Sequence, residues 1–240
     1  RWYVSGRWPN SNMFEAVTTS VWFGAVVAVV LEVLARRTPV RNLFAIGAGV
    51  ASMAAMMSAQ FASKLDASIN NMMPILHDLW LYIHTNVIIA SYALIGMAAV
   101  TAGLYLLRRL FLGGREYARV GGTGMLLDSA DESAPRRVSL GEVFDGATLV
   151  LMELSFVLLW AGIVMGAIWA DHSWGRPWGW DPKEVFALNT FIVFVILIHV
   201  RLKVRDKGLW TALLAVAGCG VMLFNWIVIN FVISGLHSYA

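Results

Sequence analysis

A cluster of tryptophans and five histidines are the residues of this chain whose chemistry stands out. Four of the 11 tryptophans fall between Trp169 and Glu184, together with two glycines and two prolines that interrupt helices. Tryptophan faces are large, rigid and apolar, so this segment could form a platform for a flat apolar ligand. A broad belt of interfacial aromatic residues with a tight turn is the alternative reading of the same composition.

Two histidines are predicted to lie at matching depth beside this segment. His84 opens one apolar run and His237 closes another, both at the end where the tryptophans lie. Two neutral imidazoles facing each other across an aromatic platform suit axial ligation of haem iron. Arg176 or Lys183 would then pair with the haem propionates. For each histidine taken alone, a polar side chain reaching the membrane interface is the alternative.

The other histidines differ in position. His199 lies near the opposite end of its apolar run, two residues before Arg201. It serves either a functional site or the cap of a helix C-terminus. Because the sequence has no second histidine at that end, an iron ligand pair there needs a histidine from a partner chain or from residues outside this sequence. His77 and His172 have no evident mate, and we assign surface roles to both.

The composition is that of an integral membrane protein. Of 240 residues, 59% are hydrophobic and 14% are charged, against about 25% charged in soluble domains. Apolar runs of about 20 residues cross a bilayer as helices. We therefore predict an all-α polytopic membrane protein with about six transmembrane helices, which are Ala16–Leu34, Leu43–Ala62, Leu81–Leu107, Ala147–Ile168, Val185–Val200 and Leu209–Ile233.

The positive charges predict the orientation of these spans. Of 18 Lys and Arg, 13 fall in the loops that follow the first, third and fifth spans. The positive-inside rule places those loops in the cytoplasm, so both termini and the tryptophan segment face outward. We expect one membrane domain over residues 1–240, with outer loops 63–80 and 169–184 forming the ligand site and a mobile cytoplasmic linker at 108–145. The chain opens with Arg1 rather than Met, so we expect it to be a portion of a longer protein.

Two acidic residues, Glu32 and Glu153, lie within apolar runs. Glu32 lies four residues before Arg36, a spacing that predicts a local ion pair on a helix. Glu153 lies about two turns into the fourth span without an evident partner, and it could line an internal path. Asp181 and Glu184, with Pro182 between them, are typical of a helix start, which explains part of this run without any function.

At the tryptophan segment the chain resembles a known family. Residues 174–181, read as W-G-R-P-W-G-W-D, are similar to the W-G-x-x-W-x-W-D signature of the haem-handling proteins of cytochrome c maturation. The continuation to Glu184 and the segments around His84, His199 and His237 resemble the CcsA/ResC branch, part of the system II cytochrome c synthase. The resemblance extends over the whole chain, and it implies further spans upstream of Arg1, as members of that family typically have them. The sequence departs from the family pattern at His172 and at Val185-Phe186.

The resemblance implies a role for each matching residue. His84 and His237 correspond to the two outer histidines that ligate haem at the external site. His199 corresponds to a transmembrane histidine whose partner histidine comes from a ResB-like, CcsB-type subunit or from a fused half. The loop that holds the haem is represented here by Trp174, Trp178, Trp180 and Asp181.

The function that the resemblance implies is transport and attachment of haem. The family moves haem b, as a substrate, from the inner side to the outer loop and presents it to the Cys-x-x-Cys-His motif of apocytochrome c. Thioether bonds then form to the haem vinyls, and thioredoxin-like reductants act on the apocytochrome. The lone Cys219 fits this, because the substrate supplies the thiols. Synthase activity is expected only with the ResB-like subunit, in the bacterial inner membrane or a thylakoid-type membrane, and no nucleic-acid partner is expected.

Three alternatives stay open. A CcmC-like or CcmF-like component that delivers haem belongs to the same superfamily. A membrane b-type cytochrome would instead hold permanent haems between histidine pairs and transfer electrons. A structural subunit with an aromatic belt would bind no haem. Variable haem occupancy after purification would distinguish the transport function from a b-type cytochrome.

Overall fold

The computed structural model is helical over most of the residues that it describes, which are 1–9, 11–61, 65, 67–69, 76–118, 138–229 and 232–233. No strand occurs within these ranges. The elements in chain order are α1 (Trp2–Ser5), α2 (Met13–Ala35), α3 (Leu43–Phe61), α4 (Leu79–Leu112), α5 (Leu140–Trp174), α6 (Pro182–Lys203), α7 (Lys207–Phe224) and a π-helical turn (Asn225–Ile229).

The helices confirm the prediction of an all-α polytopic membrane protein. Helices α2, α4, α5 and α6, and α7 together with its π-helical turn, are long and apolar enough to cross a membrane. The predicted second span is α3, an apolar helix of 19 residues. Helices α4 and α5 have 34 and 35 residues and are longer than the apolar runs from which they were predicted. Most of the predicted linker, residues 119–137, lies outside the described residues.

Polar caps decide where the helices begin. The side chain of Asp78 accepts the backbone N–H groups of Trp80 and Leu81 at the start of α4, at 2.7 and 3.3 Å. Ser139 and Glu142 form a capping box at the start of α5. Such caps satisfy donors that have no partner within the helix.

The tryptophan segment is more helical than we expected. Residues 169–174, predicted as part of a loop, form the last turns of α5, and the helix ends at Gly175 with φ 69°. The prediction was wrong here because no residue before Gly175 breaks a helix. Glycine adopts this left-handed conformation without steric cost, which makes it a common helix terminator. The connection to α6 is therefore only residues 175–181.

Helices α4 and α5 form the central antiparallel pair of the bundle. The hydroxyl of Ser91 donates to the carbonyl of Ser155 at 3.0 Å, and the hydroxyls of Thr101 and Thr148 lie 2.8 Å apart. All four residues are buried. Hydroxyl groups that find partners between apolar helices hold transmembrane helices together. Helix α4 also packs against α2, α3 and α7.

Ion pairs close one end of the bundle, which we call the basic end. Arg201 of α6 donates to both carboxylate oxygens of Asp145 in α5, at 3.0 and 2.8 Å, and Asp145 is only 1% exposed. Arg109 of α4 makes a similar pair with Asp206, the cap of α7, at 2.8 and 2.6 Å. The hydrogen bonds from Arg109 hold the pKa of Asp206 below its ordinary value and outweigh the opposing effect of burial. Two forked pairs thus connect four helices at this end.

The contacts of Glu32 show that the predicted ion pair with Arg36 was wrong. Its carboxylate accepts the backbone N–H groups of Asn42 and Ala45, at 2.8 and 3.0 Å, at the start of α3. Among the ion pairs of the described residues there is no pair between Glu32 and Arg36. The tight turn after α2 brings the unsatisfied N–H groups of α3 to this carboxylate, and helical spacing alone could not reveal that turn.

Candidate functional site

A groove opens at the end of the bundle opposite the basic end. It lies between the start of α4, the last turns of α5, the start of α6 and the π-helical turn, and we call this the tryptophan end. The empty space of the groove is about 1460 Å³, which includes the part open to the surroundings. Its lining is mostly apolar with a few polar side chains, as in typical ligand pockets.

His84 lies in the second turn of α4 and lines the groove. Its ring atom Nδ1 is 2.7 Å from the carbonyl oxygen of Gly162 in α5. A carbonyl oxygen only accepts hydrogen bonds, so Nδ1 carries the proton and donates it. In the neutral imidazole, Nε2 is then the nitrogen that carries the lone pair. A hydrogen bond of this kind, to the nitrogen that does not bind the metal, is usual for histidine ligands.

The tryptophans divide into two pairs with different surroundings. Trp169 is buried at 2% exposure, lines the groove and packs edge-on against Trp174, with ring centroids 4.8 Å apart. Trp178 also lines the groove and packs edge-on against Trp180, at 5.9 Å. Two indoles therefore face the ligand space and each is supported by another indole. Trp174 and Trp180 do not themselves line the groove, and the aromatic platform for a bound ligand stays a prediction.

Trp180 has an unusual backbone conformation. Its φ is 56°, in the left-handed region, and its side chain is 71% exposed. A bulky residue in this region is strained, and such strain concentrates at functional sites. The carboxylate of Glu184 accepts the backbone N–H groups of Gly179 and Asp181, the residues on either side, at 2.9 and 3.1 Å. These bonds hold Trp180 in its strained and exposed position.

Asp181 is buried and caps helix α6. Its carboxylate accepts the backbone N–H of Lys183 at 3.2 Å and forms a capping box with Glu184, with Pro182 in the first turn. Its side chain is not part of the groove lining, whereas Lys183 and Glu184 are. The expected contact between Asp181 and a bound haem stays a prediction. The contacts of Asp181 position the tryptophan loop at the start of α6.

We expect Asp181→Ala to destabilise the tryptophan end by about 1 kcal/mol, because the cap of α6 is lost. Hydrogen exchange in the first turn of α6 measures this directly. Asp181→Asn is the matched control, since asparagine caps about as well as aspartate. Equal protection in the alanine variant and the wild type would contradict the capping role, and haem loss in the asparagine variant would point to a direct contact with the ligand.

Two polar residues that the sequence analysis missed form the floor of the groove. Asn225 begins the π-helical turn, and its Nδ2 donates to the hydroxyl of Tyr92 at 3.2 Å. Their exposures are 3% and 7%, and Trp226 packs edge-on against Tyr92. A polar residue inside an apolar run is a signal that could have identified them. Their pairing could not be foreseen, because they are 133 residues apart in the chain.

The segment before α2 forms the remaining wall of the groove through residues 11–13. It is anchored by Glu15, whose fully buried carboxylate receives Arg1 at 2.9 Å and Arg7 at 2.8 Å. The indole nitrogen of Trp8 also donates to Asn86 of α4 at 2.8 Å. These contacts fix the lead-in segment against the start of α4. The polar and aromatic composition of this segment does not by itself predict that it packs against the start of α4.

The remaining candidate residues lie elsewhere or outside the described residues. His199 is exposed near the basic end of α6, and its Nδ1 donates to the carbonyl of Val195 at 2.7 Å. His237 lies outside the described residues, so its pairing with His84 stays a prediction. Both His77 and His172 are exposed, and His172 lies 3.6 Å from Asp78.

A second cavity lies near the basic end between α5 and α6. Glu153 lines it, together with Phe194 and Arg201. Glu153 is half-buried at this cavity, and its place on an internal path stays a prediction. Arg201 at the same cavity is the residue that pairs with the buried Asp145.

Comparison with known proteins shows which family the chain belongs to. Residues 10–237 match the family model described as "Cytochrome C assembly protein". The chain belongs to this cytochrome c assembly family. Membership confirms the resemblance seen in the tryptophan segment, and it gives the protein a role in cytochrome c maturation.

Relatives in this family match the chain along its whole length. It is 32% identical over 253 residues to the cytochrome c biogenesis protein CcsA of Parasynechococcus marenigrum, covering 100% of this chain and 80% of that protein. The CcsA of Synechococcus elongatus is 30% identical over 269 residues, with coverage of 100% and 81%. The protein NrfI of Wolinella succinogenes is 31% identical over 241 residues, and the match covers 24% of that much longer chain.

Proposed function

We propose that this protein receives haem b as a substrate, holds it in the groove at the tryptophan end and presents it to apocytochrome c. The observation that carries the proposal is His84. Its Nδ1 is bonded to the carbonyl of Gly162, which leaves Nε2 as the ligating nitrogen at a large apolar groove walled by Trp169 and Trp178. Family membership supports the same chemistry.

The groove residues fit a haem molecule. An apolar macrocycle gains from burial against indole faces. Lys183 lines the same groove and could pair with a propionate, since a carboxylate in such surroundings needs a charged partner. His237 is proposed as the second axial ligand. Coordination and packing contacts, unlike covalent bonds, allow the protein to release its cargo.

The attachment step needs no thiol from this chain. Each substrate cysteine adds its sulfur to one vinyl carbon and its proton to the other, so a carbon–sulfur bond replaces the vinyl double bond without net oxidation. The chain would orient the haem, keep water from its face and leave the vinyl edge accessible. Exposed Trp180 lies where an incoming apocytochrome could make contact. Thioredoxin-like reductants are proposed to keep the substrate thiols reduced.

A ResB-like, CcsB-type subunit is the proposed partner. His199 is exposed on α6 near the basic end, so a histidine of another subunit could complete an iron ligand pair there. The excess of Lys and Arg in the loops at that end supports a cytoplasmic location for it, and an outward location for the tryptophan end. The match covers 24% of NrfI, so a fused partner would have room in that longer protein.

The test is co-expression of the chain with a ResB-like subunit and a reporter apocytochrome c that contains Cys-x-x-Cys-His. We expect variable haem occupancy in the purified complex, and reporter maturation only when both subunits are present. Stoichiometric haem that stays bound to the single chain, without any reporter maturation, would contradict transport and favour a b-type cytochrome.

A further inference from the structure

Two glycines of α5 face the part of α4 that carries His84. They are Gly162 and Gly166, one helical turn apart, and they lie opposite Ile88 and His84 respectively. A Cβ atom at residue 166 would lie 2.7 Å from Cε1, 2.9 Å from Nδ1 and 3.2 Å from Nε2 of the His84 ring. Real Cβ atoms essentially never come within 3.0 Å of such atoms, so the His84 ring would have to shift if residue 166 carried a side chain.

The same glycine explains how the ring reaches its hydrogen-bond acceptor. In a helix, the carbonyl of Gly162 accepts the N–H of Gly166 and keeps a second lone pair. His84 Nδ1 donates to that carbonyl at 2.7 Å from the side of residue 166. The ring could not take this path past a side chain. The absence of a side chain at residue 166 therefore lets Nδ1 of His84 reach the carbonyl oxygen of Gly162.

We infer that Gly166 and the Gly162 carbonyl are the positioning elements that make His84 an Nε2 ligand for haem iron. This inference rests on the proposed function. The carbonyl holds the proton on Nδ1, and the glycine lets the ring lie flat against α5. A larger residue at 166 moves the ring away from the carbonyl, and both the ring orientation and the preferred tautomer are lost. Removing such an outer partner of a metal ligand typically lowers affinity or activity about 10- to 100-fold.

The first test compares two Gly→Ala variants in the complex with the ResB-like subunit. Gly166→Ala should lower haem affinity at the groove about 10- to 100-fold and change the optical signature of axial histidine ligation. Gly103→Ala is the matched control, because a Cβ at this helical position of α4 meets no atom within 4 Å. An unchanged affinity and spectrum in Gly166→Ala would overturn the inference.

A second test leaves residue 166 intact and does not depend on how Gly166→Ala folds. His84→Gly opens a space that an added ligand can fill. Imidazole can bind iron through one nitrogen and donate the other N–H to the Gly162 carbonyl, whereas 1-methylimidazole has no N–H to donate. We expect imidazole to restore haem binding roughly 3- to 10-fold more effectively, the range expected for one hydrogen bond. The affinities of both ligands for free haem in detergent provide the reference.

The outcomes separate this inference from the proposed function. Full haem binding in His84→Gly without added ligand would contradict His84 ligation, and with it the proposed function. Haem loss in His84→Gly with equal rescue by both imidazoles would leave the proposed function intact and overturn the role of the carbonyl. In the double variant His84→Gly/Gly166→Ala, rescue by imidazole should also weaken, because the added methyl occupies the ring position.

Discussion

His84→Ala should empty the groove of haem at the tryptophan end. The variant loses the only histidine of the described residues that lines the groove, and with it the Nε2 ligand that the Gly162 carbonyl orients. We expect haem content at this site to fall by at least about 10-fold, since loss of a ligand should exceed the loss of an outer partner. Optical spectra of the purified complex measure both haem content and axial ligation.

Added imidazole should partly restore the optical signal of bound haem in His84→Ala, because imidazole replaces the iron ligand while the rest of the groove is unchanged. His77→Ala is the matched control, since His77 precedes the same helix but is exposed and does not line the groove. The control should keep its haem. Full haem content in His84→Ala would contradict the site, and equal losses in both variants would indicate a general effect on the start of α4.

Asp145→Ala should be the most destabilising change at the basic end. It leaves Arg201, whose side chain is only 13% exposed, without its carboxylate partner, and it also removes the acceptor of the Ala118 N–H at 2.7 Å. Breaking a buried pair by removing one partner typically costs about 3–5 kcal/mol. Thermal unfolding in detergent, followed by the loss of helical signal, should show a strongly lowered midpoint.

Two further variants separate the buried charge from other effects. Asp145→Leu combined with Arg201→Met removes both charges and should recover most of the lost stability, because paired apolar replacements are often neutral. Arg115→Ala is the surface control. This residue is 80% exposed and 3.9 Å from Asp206, so its loss should change stability by less than about 1 kcal/mol. Wild-type stability in Asp145→Ala would contradict the importance of the pair.

The sequence predicted those parts of the fold that depend on local chemistry. Long apolar runs gave the helices, and the Asp181–Glu184 run correctly marked the start of α6. The end of α5 was predicted too early in the chain, because the tryptophans suggested a loop. From residue 169 onward, the first glycine or proline is Gly175, where the helix ends. The composition of a segment and its backbone conformation are thus separate properties.

The candidate site was predictable only in part. His84 and Trp178 follow from residue type and position along the chain, and both line the groove. The contact of His84 with Gly162 joins residues 78 apart, and no local pattern indicates it. Glu32 shows the same limit, because its partners are backbone groups brought near by a turn. Tertiary packing decides which polar groups meet, and a single sequence does not contain that pairing.

The left-handed backbone at Trp180 has a consequence for how this protein would respond to selection. A non-glycine residue in that conformation costs of order 1–3 kcal/mol, and the exposed indole regains little of it by burial. Glycine or asparagine would adopt the same backbone more easily. Libraries screened only for heat resistance should therefore accumulate Trp180→Gly or Trp180→Asn, and those winners should mature less cytochrome c. Tryptophan should be retained at residue 180 only in a screen that selects for cytochrome c maturation rather than for thermal stability.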